Sequence, residues 1–416
     1  MAFAPTSTEP SVSVEEHLER VLDGIRPLRP YDQPLLDALG LPVGEPIVAG
    51  IDLPAFDNSG MDGYAVHSAD VAGADLAAPV SLPVVGEAAA GQTTLFALAP
   101  GTAVKIMTGA PLPAGADAIV PVEWTDAGSA TVRITRAPTV GQHVRRQGED
   151  VRAGDLVLDE GEVLGPRQLG LLAAVGRGQV RARPRPRVVV LSTGAELREP
   201  GQRLSPDAIY DANSYMLAGA VRAAGAVAYR VGIVPDDPTI FADTLSDQLV
   251  RADLVVTSGG VSKGEYDVVK EVLAKLGTVW FGEVRMQPGK PQGFGHVGED
   301  RTPIFALPGN PVSSYVSFEL FVLPALRRMT ARLPYRRPAT QARVTESFRS
   351  APGKAQYARA RFEVGYDGPT VTVVGGHGSH LLGDLSAANA LIAVPADATS
   401  VEAGTTVPVL VLDRDF

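Results

Sequence analysis

Apolar residues recur along the chain in three different periods, and each period marks a different kind of element. Val14, Leu18, Val21, Leu22 and Ile25 share one face of a helix. Ser13 followed three residues later by Glu16 forms a capping box at its start, and Pro27 ends it. This helix has a packing face and no chemistry, so it is expected to pack or to form a dimer. From about 80 to 165 the apolar residues alternate instead, in short runs such as Ala103–Met107, Ala118–Val122 and Thr131–Ile134 separated by Gly and Pro. A short helix opens at Gly165-Pro166. Arg181–Arg187, with Pro184 and Pro186, predicts an extended linker. From 187 to 330 unbroken apolar runs (187–191, 228–234, 253–256, 304–307) alternate with helical stretches, the pattern of a parallel sheet with right-handed crossovers. Beyond Pro334–Pro338 alternation returns in 341–348, 356–364, 370–374, 390–394 and 406–412, which predicts a small barrel or sandwich.

The α/β stretch carries the clearest chemistry. Leu254–Val256 ends in Ser258-Gly259-Gly260-Val261-Ser262-Lys263-Gly264, and from Val268 the apolar residues take up helical spacing, with Asp267 at the helix start. Strand, Gly-rich turn and helix N-terminus together offer unpaired amides to a phosphate or oxyanion. An ordinary strand-to-helix loop has the same local pattern. However, 187–191 also runs into Ser192-Thr193-Gly194-Ala195-Glu196, and 304–307 into Pro308-Gly309-Asn310-Pro311. Three such turns predict one crevice at the carboxyl ends of the sheet.

Two other stretches are dense in charge. Residues 51–67 hold Asp52, Asp57 and Asp62 among Gly and Pro; Asx-rich turns account for part of this, but the density also suits a site. Val144–Asp150 packs Arg145, Arg146, Glu149 and Asp150 into a solvated strand face or a site lining. Gly375–His380 contains two histidines three apart; with no third ligand nearby, a flexible Gly loop is the expectation rather than zinc.

At 416 residues the chain is expected to hold roughly three to four domains. No apolar run approaches the roughly 18 residues of a membrane span, and the first twenty residues lack the pattern of a secretory signal. The absence of cysteine rules out disulfides, thiolate catalysis and iron–sulfur clusters, and fits a reducing cytoplasm. A net charge of −10 argues against a broad nucleic-acid surface.

Taken in order, these motifs resemble the MoeA family, the molybdopterin molybdenumtransferases, which includes the E domain of gephyrin. The resemblance rests on Asp57–Ala65, Ile106–Pro111, Arg146–Asp150, Ser192–Leu197, Ile209–Asn213, Ser258–Ser262, Pro288–Pro291, Leu307–Ser313 and Gly378–His380. It implies an α/β multidomain fold: a three-layer α/β molybdopterin-binding domain (183–332), a discontinuous helical and mixed elongated domain (1–50 and 150–182), an inserted β-rich domain (51–149) and a C-terminal β-barrel (333–416). The activity it implies is the last step of molybdenum cofactor synthesis: molybdate is inserted into adenylylated molybdopterin and AMP is released with Mg²⁺. A cytoplasmic homodimer with shared active sites, an upstream adenylyltransferase and downstream molybdoenzymes are implied partners.

By the same resemblance the catalytic residues are Asp62, Thr108, Asp150, Glu196, Asp236 and Asp267, with Glu196, Asp236 and Asp267 as metal contacts. Substrate contacts fall on Thr193, Gly194, Ser258, Gly259, Gly260, Ser262, Gly264, Lys290, Pro308, Gly309, Asn310, Pro311, Arg359 and Ser379. Relatives commonly have lysines where this chain has Glu283 and Gln287, while Lys290 is kept. Arg285 therefore either takes an oxyanion-binding role or pairs with Glu283. Two alternatives remain, a molybdopterin adenylyltransferase, whose fold resembles 187–330 alone, and a dimeric scaffold of the gephyrin type.

Overall fold

The computed structural model of the chain describes residues 11–91, 97–260, 268–275 and 278–414. It divides into two compact units: Met1–Tyr31, Gly40–Gly44 and Ala182–Phe416 form one, and Asp32–Leu39 and Glu45–Arg181 the other.

The first unit opens with helix α1 (Val14–Gly24), capped as its sequence predicts: the Ser13 hydroxyl accepts from the Glu16 amide at 3.1 Å and the Glu16 carboxylate from the Ser13 amide at 2.6 Å. Its buried face, Val14, His17, Leu18 and Val21, joins a large apolar core that also covers one side of the α/β sheet. That sheet contains β1 (Arg187–Thr193), β2 (Val227–Val234), β3 (Leu254–Ser258), β4 (Val279–Glu283), β5 (Pro291–Val297) and β6 (Thr302–Leu307). Helices α2 (Asn213–Ala223), α3 (Pro238–Leu249), α4 (Val268–Lys275), α5 (Pro311–Ser317) and α6 (Leu323–Met329) complete the α/β layers.

The spatial order is β2-β1-β3-β6-β5-β4. The first four strands are parallel, and β5 and β4 extend the sheet antiparallel. The four strands expected from the sequence are parallel, and two further antiparallel strands extend the sheet to a mixed one. β4 and β5 lack a continuous β-branched run because glycines make room for aromatic rings: a Cβ on Gly293 would lie 2.8 Å from the Phe281 ring, and one on Gly282 would overlap Trp280. β1, β3 and β6 are buried almost end to end, as central parallel strands must be. The helix expected from Ser313 starts at Pro311, and between α5 and α6 it widens into a π-helical turn over Phe318–Val322.

The C-terminal strands β7 (Ala339–Val344), β8 (Ala355–Gly365), β9 (Gly368–Val373), β10 (Ala390–Val394) and β11 (Thr406–Val411) close in the order β8-β9-β7-β11-β10, with β10 pairing back onto β8. The result is a five-stranded barrel around its own core of Val344, Phe362, Val371, Ile392 and Val409.

In the second unit a five-stranded sheet runs in the order Ala118–Pro121, Gly63–Val66, Ala103–Ile106, Val80–Ala88, Thr131–Ile134. Tyr64 and Ala65 point to opposite faces of it and enter two separate cores. The linker expected at 181–187 is shortened, because Gln179–Ala182 is a strand whose Val180 and Ala182 are buried.

Candidate functional site

In the first unit, the loops that follow β1, β3 and β6 meet at the carboxyl ends of those parallel strands. At the end of β1 the Thr193 hydroxyl donates to Asp236, which stands just past β2, and the Ala195 amide donates to the same carboxylate at 2.8 Å. Glu196 leans back over Gly194: a Cβ there would lie 2.8 Å from the Glu196 carboxylate. After β3 the chain turns through Gly259 at φ 93°, where a Cβ would sit 2.9 Å from the Thr193 carbonyl oxygen. Only glycine accepts both that backbone angle and that approach. Gly260 also has positive φ, at 73°. The Gly259 amide donates to the Leu307 carbonyl at 3.2 Å, and a Cβ on Gly309 would lie 3.6 Å from the Gly259 Cα, so the two loops touch backbone to backbone.

Pro311 occupies the first turn of α5, where a missing N–H costs nothing, and Asn310 stands as its N-cap residue. The Asn310 side chain donates instead to the Ser379 hydroxyl at 2.9 Å, and the Val312 amide to the Ser379 carbonyl at 3.0 Å. Ser379 thereby joins the loop after β9 to the loop after β6. Ser262, Gly264 and Asp267 lie outside the described residues.

The cations named by the sequence are already engaged. Arg359 is buried and donates to the carbonyls of Gly376, Gly378 (3.0 Å) and Leu381 (3.2 Å), with Asp384 at 3.8 Å. The loop 376–381 is therefore tethered by one guanidinium. Lys290 pairs with Glu283 at 2.8 Å. Arg285 donates to the Ser11 carbonyl and lies 3.7 Å from Glu16. His377 Nδ1 stands 3.0 Å from the Gln356 amide nitrogen.

In the second unit the Asp62 carboxylate accepts from both the amide (2.7 Å) and the hydroxyl (2.8 Å) of Thr108. The Thr108 amide, then its hydroxyl, hold the Asp62 carboxyl below its ordinary pKa, so this exposed acid remains ionised. Its place is fixed by backbone: Val122 donates to the Asp62 carbonyl (3.0 Å), Gly109 to Ser59 (2.8 Å) and Gly60 to His143 (2.8 Å). Gly63 must be glycine, since a Cβ would lie 2.0 Å from the Val120 oxygen.

The neighbouring acids do other work. Asp57 pairs with Arg146 at 2.6 Å and accepts from the Gln147 amide, and Asp52 accepts from Gln147 and Ala153. The density of acids in 51–67 thus splits into two that staple the 146–153 loop and one, Asp62, that points to solvent beside a threonine. Asp150 is exposed, and its amide donates to Leu53 at 3.0 Å.

Two residues absent from the sequence-derived site contribute most to its geometry. Asp211 is 1% exposed and accepts from Ser192 (3.2 Å) and from the amide (3.0 Å) and hydroxyl (2.5 Å) of Ser214, which anchors the start of α2 to β1. Asn213, two residues on, reaches both the β3 and the β6 loops. The only sequence signal was their place in the stretch 209–213. Among the described residues no group of three or more His, Asp and Glu gathers as a metal cluster.

Three family models match the chain: the MoeA N-terminal region (domain I and II) over residues 12–176, the probable molybdopterin binding domain over 189–328 and the MoeA C-terminal region (domain IV) over 341–412. The chain is 47% identical over 404 residues to molybdopterin molybdenumtransferase 2 of Mycobacterium tuberculosis, covering 95% of this chain and 98% of that protein. To molybdopterin molybdenumtransferase 1 of the same organism it is 40% identical over 420 residues, covering 96% and 99%. The crystal structure of a molybdopterin biosynthesis MoeA protein from Pyrococcus horikosii superimposes with a TM-score of 0.84 at 32% identity, covering 97% of this chain and all of that one. The chain belongs to the MoeA family.

Proposed function

We propose that this protein is a molybdopterin molybdenumtransferase: it takes adenylylated molybdopterin and molybdate, inserts molybdenum into the pterin dithiolene and releases AMP, the last step of molybdenum cofactor synthesis. The observation that carries this reading is the meeting of the β1, β3 and β6 loops, with two glycine backbones in contact, at the carboxyl end of a parallel sheet, the place where open α/β sheets bind ligands. Relatives of the same length that bear this activity in their names support it.

In this reading the backbone at Ser258–Gly260 and Gly309 lies against the phosphates, and Thr193 and Asn310 fix the turns on either side. Glu196 and Asp236 offer the hard oxygen donors that Mg²⁺ takes, which the exposed Glu196 and the remaining lone pairs of Asp236 allow. Asp267 is their third partner in the expectation from sequence. A bound Mg²⁺ would supply charge neutralisation at the phosphoryl oxygens. The protein works as a cytoplasmic homodimer, the ionised Asp62 and Thr108 of one subunit completing the site of the other. An adenylyltransferase supplies its substrate and molybdoenzymes receive its product.

Two incubations test this. With adenylylated molybdopterin and molybdate the protein should release AMP; with ATP and molybdopterin it should consume neither. The opposite result would make it an adenylyltransferase, and inactivity in both would leave the scaffold reading.

A further inference from the structure

We infer that Asn213 is a positioning residue that locks the β3 and β6 loops into one ligand-ready unit. Its side-chain nitrogen donates to the Ser258 hydroxyl at 2.9 Å and to the Gly309 carbonyl at 2.6 Å. The carbonyl fixes the orientation of the amide, because only the NH₂ end can donate to it. Asn213 is the first residue of α2, and its backbone is held from behind. The buried Asp211 caps the following Ser214 and bonds Ser192 of β1, while Arg230 lies 3.8 Å from Asp211 and binds Glu199 bidentately at 2.9 Å. Its buried members, Asp211, Ser192 and Ser214, are hydrogen-bonded to one another, and a satisfied buried network is rigid.

The consequence is cooperative. Ser258 is 3% exposed and Gly309 lies against Gly259, so the amide of Asn213 ties the described start of the β3 loop, Ser258–Gly260, to Gly309. A ligand that touches both loops then meets a preorganised cradle, and the ordering cost is met before binding. This rests on the proposed function for the identity of the ligand, but not for the coupling itself.

The test uses the full-length protein with Asn213→Ala, Ser258→Ala and the double variant. Hydrogen exchange without ligand reads the coupling: in Asn213→Ala the amides of both Ser258–Gly260 and Gly309–Asn310 should exchange at least about tenfold faster, while the centres of β1 and β3 stay protected. AMP binding by calorimetry reads the consequence: Asn213→Ala should weaken it about tenfold, and the double variant should lose less than the product of the two single losses, because the Asn213–Ser258 bond is shared, although Ser258 also donates to the Pro308 carbonyl at 3.4 Å. Faster exchange in one loop only, or in neither, overturns the inference, as do fully additive losses of affinity. Absence of AMP binding in the unaltered protein would instead overturn the proposed function, leaving the exchange result to decide the coupling. If Asn213→Ala fails to fold, Asn213→Asp, which keeps the shape but cannot donate to the Gly309 carbonyl, should still quicken exchange in the Gly309 loop, and unchanged exchange there overturns the inference.

Discussion

A buried histidine with no hydrogen-bond partner is uncommon, and among the described residues His17 on α1 is one. Its ring lies 5.0 Å from Trp280 and 4.6 Å from Phe321, and Arg20 stacks over the same tryptophan at 4.2 Å. Burial, with Arg20 adding repulsion, drives its pKa from 6.5 down to about 3. The folded state therefore binds fewer protons than the unfolded one between those values. Stability is complete above pH 6.5 and is lost as pH falls, by about 2 kcal/mol at pH 5. Urea unfolding of wild type and His17→Leu at pH 7.5 and pH 5 should show the variant gaining that much relative to wild type at the lower pH. Parallel curves would mean that His17 takes a proton without penalty. Individual residues were the least legible scale in the sequence. Asp62 and Thr108 stand out as motif residues, but Asn213 looks like any helix start until the loops are placed beside it. For Arg359, named as an oxyanion contact, the sequence could not show that it also donates to three carbonyls of the 376–381 loop.

Elements with one strong period were fully legible: α1, β1, β3, β6 and the last barrel strands fall within a few residues of their apolar runs. β4 and β5 were not, because Gly282, Gly293 and Gly295 break the β-branched signature to admit Trp280, Phe281 and a neighbouring backbone. The π-helical turn between α5 and α6 was likewise hidden, since its residues keep a helical pattern of apolar positions. That turn buries Glu319, whose pKa is raised by desolvation while Arg337, 3.0 Å away, holds it back. Arg337→Ala would leave that charge unpaired and should cost about 3–5 kcal/mol, with Glu319→Gln recovering much of the loss in the double variant. Equal destabilisation of the single and double variants in denaturant would show the pair to be uncoupled. The loop after β3 gives a second prediction. Gly259→Ala adds a left-handed strain of about 1–2 kcal/mol and a clash with Thr193, so it should lower AMP affinity even where the fold persists. AMP affinity equal to wild type by calorimetry would mean that the turn is not part of the cradle.

For the whole molecule, the α/β stretch and the β-rich stretches on either side of it correspond to recognised domains of one family, and the order of motifs was enough to name it before any geometry. What periodicity could not supply was how separate stretches share one reaction. If the site is shared between subunits, mixing Asp62→Ala with Asp236→Ala should restore roughly a quarter of wild-type activity, since half of randomly mixed dimers carry one intact site of two. No recovery in a mixture shown to contain mixed dimers would place both acids in the same subunit's site. The central claim is that the protein inserts molybdenum into adenylylated molybdopterin with release of AMP. It is tested most directly by a single turnover with adenylylated molybdopterin, following AMP and pterin-bound molybdenum together as molybdate is added. The account predicts one AMP for each molybdenum bound and little AMP without molybdate; AMP released at the same rate with or without molybdate, or molybdenum bound without AMP release, would contradict it.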